Sequence, residues 1–192
     1  MSPYLLFWIL GILLGLTAYI SYFRAVFHKK TKPQLYTWLL WSLLAIIATI
    51  VQIKNNAGWG ILVPCLMAIS NTSLTLISLK HGHKHLSQKD LILLIATFIT
   101  LMVWYFVKND FVAILLVVTI DSIGFYFTWK KSYYHPYSED LTSYVIWTWE
   151  FLCALLAIED KNFINIFHPL LLTCTEFAFV IFLLWRRKII KK

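Results

Sequence analysis

Charge is scarce in this chain. Only 14% of its 192 residues are Asp, Glu, Lys or Arg, against about 25% in a water-soluble domain. A soluble globular fold is excluded, and the few charges cluster in short runs and a basic tail. The formal charge of +8 therefore does not indicate nucleic acid, because that reading needs a basic face on a soluble surface. Cysteine is rare too. The three, Cys65, Cys153 and Cys174, all fall in apolar stretches and are expected to be buried thiols, not a disulfide framework. The chain has no glycine-rich phosphate loop, no Cys-x-x-Cys, no His-Glu-x-x-His and no Ser-His-Asp order. An enzyme of these classes is not expected, nor is a cofactor or a metal centre.

What is present is apolar: 60% of the residues are hydrophobic and 17% aromatic. Charge-free intervals run over 1–23, 33–53, 55–79 and 91–107. Three more, 111–129, 141–158 and 162–185, carry one carboxylate each, at Asp121, Glu150 and Glu176. A spanning helix takes about 20 residues, so seven transmembrane helices are expected, with no room for a soluble domain. The blocks are apolar all round, which excludes a transmembrane barrel of alternating strands. The first block lacks a basic leader and a small-residue cleavage site, and its basic residues follow it, so a retained helix is expected. With the N-terminus outside, fourteen of the 17 Lys and Arg residues fall on the inner side, leaving Lys54, Lys108 and Lys161 outside. That bias predicts N-out, C-in, with the C-terminus cytoplasmic.

The chain also repeats itself. An offset of 106 residues lays Arg24 on Lys130, Leu35 on Leu141, Trp41 on Trp147 and Lys80 on Arg186. With a one-residue slip in the third helix of each half, Pro64 falls on Pro169 and Asn71 on Glu176. Helices one to three thus correspond to five to seven. The fold class expected is an all-α integral membrane protein in a 3+1+3 arrangement of two parallel three-helix bundles. Its divisions are 1–80 for the first bundle, 81–109 for linker helix four with its loops, and 110–192 for the second bundle and basic tail.

The residues from Tyr22-Phe23-Arg24 through His28-Lys29-Lys30-Thr31-Lys32-Pro33-Gln34, running into Trp38 and Trp41, resemble the basic loop after helix one of PQ-loop and SWEET transporters. The second half echoes it over Phe125–Glu139. The PQ motifs are degenerate, since Pro33-Gln34 follows the loop whereas the family's pair lies inside helix one. The resemblance, which extends over the whole chain, is to a bacterial-type seven-helix member. It implies a transporter in a bacterial inner membrane. It also implies a substrate site built from Asn71 and Trp41 in one half and Trp147 and Glu176 in the other. A carboxylate in the position of the family's second amide favours a cationic group or a proton-driven cycle over a plain sugar.

Asp121, Glu150 and Glu176 each lie about ten residues or more inside their helix, near mid-depth of a 30 Å core. A carboxylate there costs a few kcal/mol, so such groups face the protein interior and mark ion, proton or substrate sites. No Lys or Arg is expected within the helices to neutralise them. Proton coupling or a cationic ligand would relieve their mutual repulsion. All three are candidates for substrate binding and proton coupling, with His168, beside Pro169, as a further candidate proton shuttle or, equally, an interfacial residue. A structural role, hydrogen bonding to a neighbouring helix, is the alternative for each acid and for Asn71.

Asn71, Thr75 and Ser78 form a polar stripe on one face of helix three. Trp147 and Glu150, one turn apart, would make an aromatic and anionic wall suited to a cation. Trp38, Trp8, Trp59, Trp104, Trp129 and Trp185 read as interfacial belt residues. Gly11, Gly15 and Ala18 make a small-residue stripe suited to close helix packing. His81, His83 and His85 alternate in a charged loop without carboxylate or thiol partners and read as solvated.

The expected function is transport of a small polar solute by alternating access around a mid-membrane site: a sugar, an amino acid, a vitamin or a cationic metabolite, with protons as candidate partners and the bilayer as solvent. A seven-helix ligand or peptide receptor of the same fold, a PnuC-like vitamin transporter, and an intramembrane enzyme with paired carboxylates are the alternatives.

Overall fold

Seven helices account for most of residues 2–54 and 62–190, which are the residues described by the computed structural model. They are α1 (Pro3–Phe27), α2 (Leu35–Lys54), α3 (Leu62–His81), α4 (Gln88–Phe106), α5 (Asp110–Tyr134), α6 (Leu141–Leu156) and α7 (Phe163–Ile189), with a short 3-10 turn at Pro136–Ser138 before α6. Trp59, Lys191, Lys192 and the first residues of the expected third helix lie outside the described residues. Five helices, α1, α3, α4, α5 and α7, are long and apolar enough to cross a membrane. The expectation of seven full spans is therefore met in part. Helix α2 has 20 residues, whereas the 16 residues of α6 rise only about 24 Å.

Local chemistry sets the helix ends. Ser2 caps α1 by accepting from the Leu5 amide, with Pro3 in the first turn. At the other end His28 is the cap, the Lys30 amide reaches the Ala25 carbonyl, and the Lys29 amide reaches Val26. This closing loop requires a left-handed residue, and Lys29 supplies it at φ 59. Ser87 and Asp90 form a reciprocal capping box on α4, while Asp140 caps α6 and Asn162 caps α7.

Several helices run past the charges that ended the apolar blocks. Arg24 lies in the last turn of α1, Lys131 in that of α5, and Arg186, Arg187 and Lys188 in that of α7. Cations do occur within the helices, contrary to expectation. Lys131 is 3% exposed because its ammonium caps the Lys32 carbonyl, and Arg186 folds both Nε and Nη2 onto the Tyr133 carbonyl.

The chain forms two compact units, Met1–Thr31 with Ser132–Lys192, and Lys32–Lys131. In the first unit α1 packs on α6 and α6 on α7. The reason lies in the small-residue stripe of α1: Gly11, Gly15, Ala18 and Tyr22 are buried along one face. Gly11 sits against Cys153, Ala154 and the Glu150 carbonyl, so the two backbones approach closely, as small residues permit between membrane helices.

In the second unit α2 packs on α3. Leu40, Leu94, Leu101, Ile120 and Phe127 form its apolar core, bringing α4 and α5 against α2. In α4 the buried positions Asp90, Leu94, Thr97 and Leu101 recur at helical spacing, while Ile92, Ile99, Met102 and Phe106 are exposed. An apolar face turned outward in this way suits hydrocarbon as the solvent.

Candidate functional site

The first unit holds Trp147, Glu150, Glu176 and His168. Glu176 on α7 is buried, and its Oε2 has no hydrogen-bond partner among the described residues. Glu150 on α6 is half-buried, with an equally unpartnered and enclosed Oε2. Its carboxyl group rests in the notch left by Gly15: a Cβ built there would come within 2.5 Å of Glu150 Oε1. The two carboxyl groups are close enough to interact electrostatically, and Glu176 also senses Glu139. The α6–α7 packing thus brings together two of the three expected intramembrane acids.

Trp147 is buried inside an aromatic cluster. Its ring lies 5.5 Å from Tyr19, 5.5 Å from Tyr22 and 5.2 Å from Tyr144, measured between centroids. These three rings cover much of the indole, so it serves first as packing. His168 is half-buried on α7.

Glu139, just beyond the 3-10 turn, was not singled out from the sequence. It is 2% exposed although it lies between helices. The Tyr22 hydroxyl donates to its Oε2 at 2.7 Å, and Arg187 Nη2 donates to its backbone carbonyl. Its neighbour Asp140 accepts from the Ser21 and Ser143 hydroxyls. The hint available was the pair Glu139-Asp140 directly before an aromatic-rich helix. Finding its partner Tyr22, more than a hundred residues away, required the packing of α1 on α6.

The second unit holds Trp41, Asn71 and Asp121. Asn71 is 2% exposed and its amide donates to the Trp41 carbonyl at 3.2 Å, which binds α3 to α2. Thr75 and Ser78 return their hydroxyls to the carbonyls of Asn71 and Leu74. The polar stripe of α3 therefore satisfies much of itself inside the bundle. Asp121 is buried on α5.

Trp41 makes edge contacts with Trp38 and Phe125. Its Nε1 is buried without a partner among the described residues, at the point where a Cβ on Gly124 would come within 2.9 Å. Trp38 corrects the belt assignment. It is 1% exposed, because packing against Trp41 holds it inside. Trp8 and Trp185 are exposed as belt residues require, and so is Trp149.

Thr37, whose hydroxyl meets Thr128 and the Gly124 carbonyl, and Ser42, bonded to Thr72, were also not anticipated. An ion pair joins Lys130 to Asp90, whose other carboxyl oxygen accepts from Tyr126. The histidine loop is tied down by its backbone: His83 N–H donates to Pro33 and His83 C=O accepts from Leu35. The cysteines are free, but Cys174 is exposed on α7, not buried, and Cys65 and Cys153 are half-buried.

No protein-family model matches this chain, and no curated protein or solved structure matches it either.

Proposed function

We propose that the chain is a membrane transporter that moves a small polar solute by alternating access, with proton exchange at Glu176 and Glu150. One observation carries the reading: two enclosed carboxyl oxygens, Glu150 Oε2 and Glu176 Oε2, have no hydrogen-bond partner among the described residues. An acid kept only for structure would have its oxygens bonded, since an unsatisfied buried acceptor costs about 1–3 kcal/mol, more if charged. Acids at membrane depth that keep an acceptor free are suited to take up a proton or a cationic group. Asp121, Trp41 and Asn71 belong to the same reading as polar and aromatic groups of the second unit, and the resemblance of the Tyr22–Gln34 segment to PQ-loop and SWEET transporters supports it. The 3+1+3 repeat enters as a sequence pattern only. The reading carries the orientation given by the Lys and Arg bias, N-out and C-in, in a bacterial inner membrane.

The test is uptake into proteoliposomes from a panel of sugars, amino acids, vitamins and polyamines at several pH values. Saturable, pH-dependent uptake of one class supports the reading. Equilibrium binding of a ligand without flux for any member contradicts it in favour of a receptor.

A further inference from the structure

We propose that the exposed face of α1 seats one phospholipid with an anionic headgroup, its phosphate against Arg24, Lys29 and Lys30 and an acyl chain along Leu13, Leu16 and Ile20. The inference needs α1 to lie in a bilayer and takes nothing from the transport reading. Two independent observations carry it, one electrostatic and one apolar.

The electrostatic observation is that these cations have no work inside the fold. At the end of α5 the Lys130 ammonium is neutralised by Asp90, and Lys131 caps the Lys32 carbonyl. At the end of α7 Arg186 holds the Tyr133 carbonyl, and Arg187 holds those of Pro136 and Glu139. The end of α1 closes differently. Its last carbonyls, those of Arg24, Ala25 and Val26, accept from the backbone amides of His28, Lys29, Lys30 and Thr31, and the His28 ring adds a bond to the Arg24 carbonyl. With the helix end satisfied in this way, the Arg24 guanidinium and the Lys29 and Lys30 ammoniums are left over. All three residues are exposed, and among the described residues their side chains have no ion pair or hydrogen bond. Two acids approach this end of α1, and both are engaged elsewhere: Glu139 by the Tyr22 hydroxyl and Asp140 by the Ser21 hydroxyl.

The apolar observation is the register of the face that leads to the cations. Leu13, Leu16, Ile20 and Arg24 recur at spacings of three and four, so they share one face, and all four are exposed. Gly11, Gly15, Ala18 and Tyr22 line the other side of α1, which packs on α6. From Leu13 to Arg24 the helix rises about 16 Å, about half of a hydrocarbon core of about 30 Å. The stripe is therefore one acyl chain deep, and the cations stand at the level of that chain's headgroup. A guanidinium can bond two phosphate oxygens at once, and the ammoniums add point charges. A zwitterionic headgroup brings the same phosphate with a cation of its own, so the face should select for net negative charge.

The experiment is native mass spectrometry of the full chain in detergent micelles with equimolar dioleoylphosphatidylglycerol and dioleoylphosphatidylcholine, scoring the first lipid retained. The wild type should prefer phosphatidylglycerol about a hundredfold, about fivefold for each of three cations near an anionic headgroup. Arg24→Gln should lower that preference by one such factor and Lys29→Gln/Lys30→Gln by two. Melting curves should show every variant folded, since the altered side chains are exposed and unpartnered; if Arg24→Gln does not fold, the lysine pair decides. Lys80→Gln/Lys84→Gln, which removes two exposed cations of the second unit, should leave the preference unchanged. Equal retention of the two lipids by the wild type, or an undiminished preference in the folded α1 variants, would overturn the proposal. A preference that falls as far in Lys80→Gln/Lys84→Gln would overturn it in favour of net charge, and displacement of the lipid by glycerol 3-phosphate would overturn it in favour of a free-anion site. Selective retention by a protein that moves no solute would sustain the lipid site while ending the transport reading.

Discussion

Replacing Gly15 with alanine probes the contact that seats Glu150. The new Cβ would lie 2.5 Å from Oε1 and 2.7 Å from Cδ of Glu150, against an ordinary contact of 3.4 Å or more, so the carboxyl oxygen must retreat by about 0.9 Å. What it strikes is the end of a flexible side chain, not backbone. Rotating that side chain away from its preferred torsion costs about 0.5–1.5 kcal/mol, and alanine in place of glycine inside a helix returns about 0.5–1 kcal/mol. The two nearly cancel, leaving a net change within about 1 kcal/mol, or about 2–4 °C of melting temperature for a chain of this size. Stability should therefore hardly change while the Glu150 carboxyl moves. Gly11→Ala is the control, because its Cβ would meet nothing closer than 3.7 Å. Melting of both variants in nanodiscs, with the infrared carboxyl bands as the readout of Glu150, separates the two effects. Gly11→Ala should leave those bands unchanged and Gly15→Ala should shift one. A fall of about 8 °C or more in Gly15→Ala, equivalent to more than about 2 kcal/mol, would show that Glu150 cannot yield and refute the reasoning.

Other perturbations follow from single contacts. Lys29→Gly should stabilise the protein by up to about 1 kcal/mol, because the left-handed cap conformation at φ 59 suits glycine; a lower melting temperature would contradict the cap assignment. Gly124→Ala should cost about 1–3 kcal/mol through overpacking, since a ring, not a chain end, lies 2.9 Å away at Trp41 Nε1, and tryptophan fluorescence should shift with it. Asp90→Ala should lower stability by about 1–3 kcal/mol through loss of the α4 cap and of hydrogen bonds from Tyr126 and Lys130. An unchanged melting curve would remove the Asp90–Lys130 pair from the account.

How much the sequence revealed depended on whether the cause was local. The apolar block 141–158 became α6 at Leu141–Leu156, and 91–107 became α4 at Gln88–Phe106, because hydrophobic composition over one helix length is a local property. Ends set by charge were short by several residues at α5. A helix continues through Lys130 and Lys131 when each has a partner, here Asp90 and the Lys32 carbonyl. The small-residue stripe of α1 was visible, but its target was not; that Gly15 admits Glu150 and Tyr22 holds Glu139 are pairings across more than a hundred residues. The repeat compares α1 with α5 and carries no information on packing, so that α1 packs on α6 was not legible in it. Asn71, the amide indicated by the family resemblance, donates to the Trp41 carbonyl, a bond that no single-sequence pattern separates from a ligand contact.

The most direct test of the transport account is proton-coupled uptake by proteoliposomes containing wild type or Glu176→Gln, read by a pH-sensitive dye in the lumen while the solute panel is added outside. The account predicts that one solute class drives lumenal acidification in the wild type. It also predicts that Glu176→Gln, which keeps the shape of the side chain without its titration, folds and loses that acidification. Wild-type acidification and wild-type pH dependence in Glu176→Gln would contradict it, and the buried carboxyl would then be a structural group.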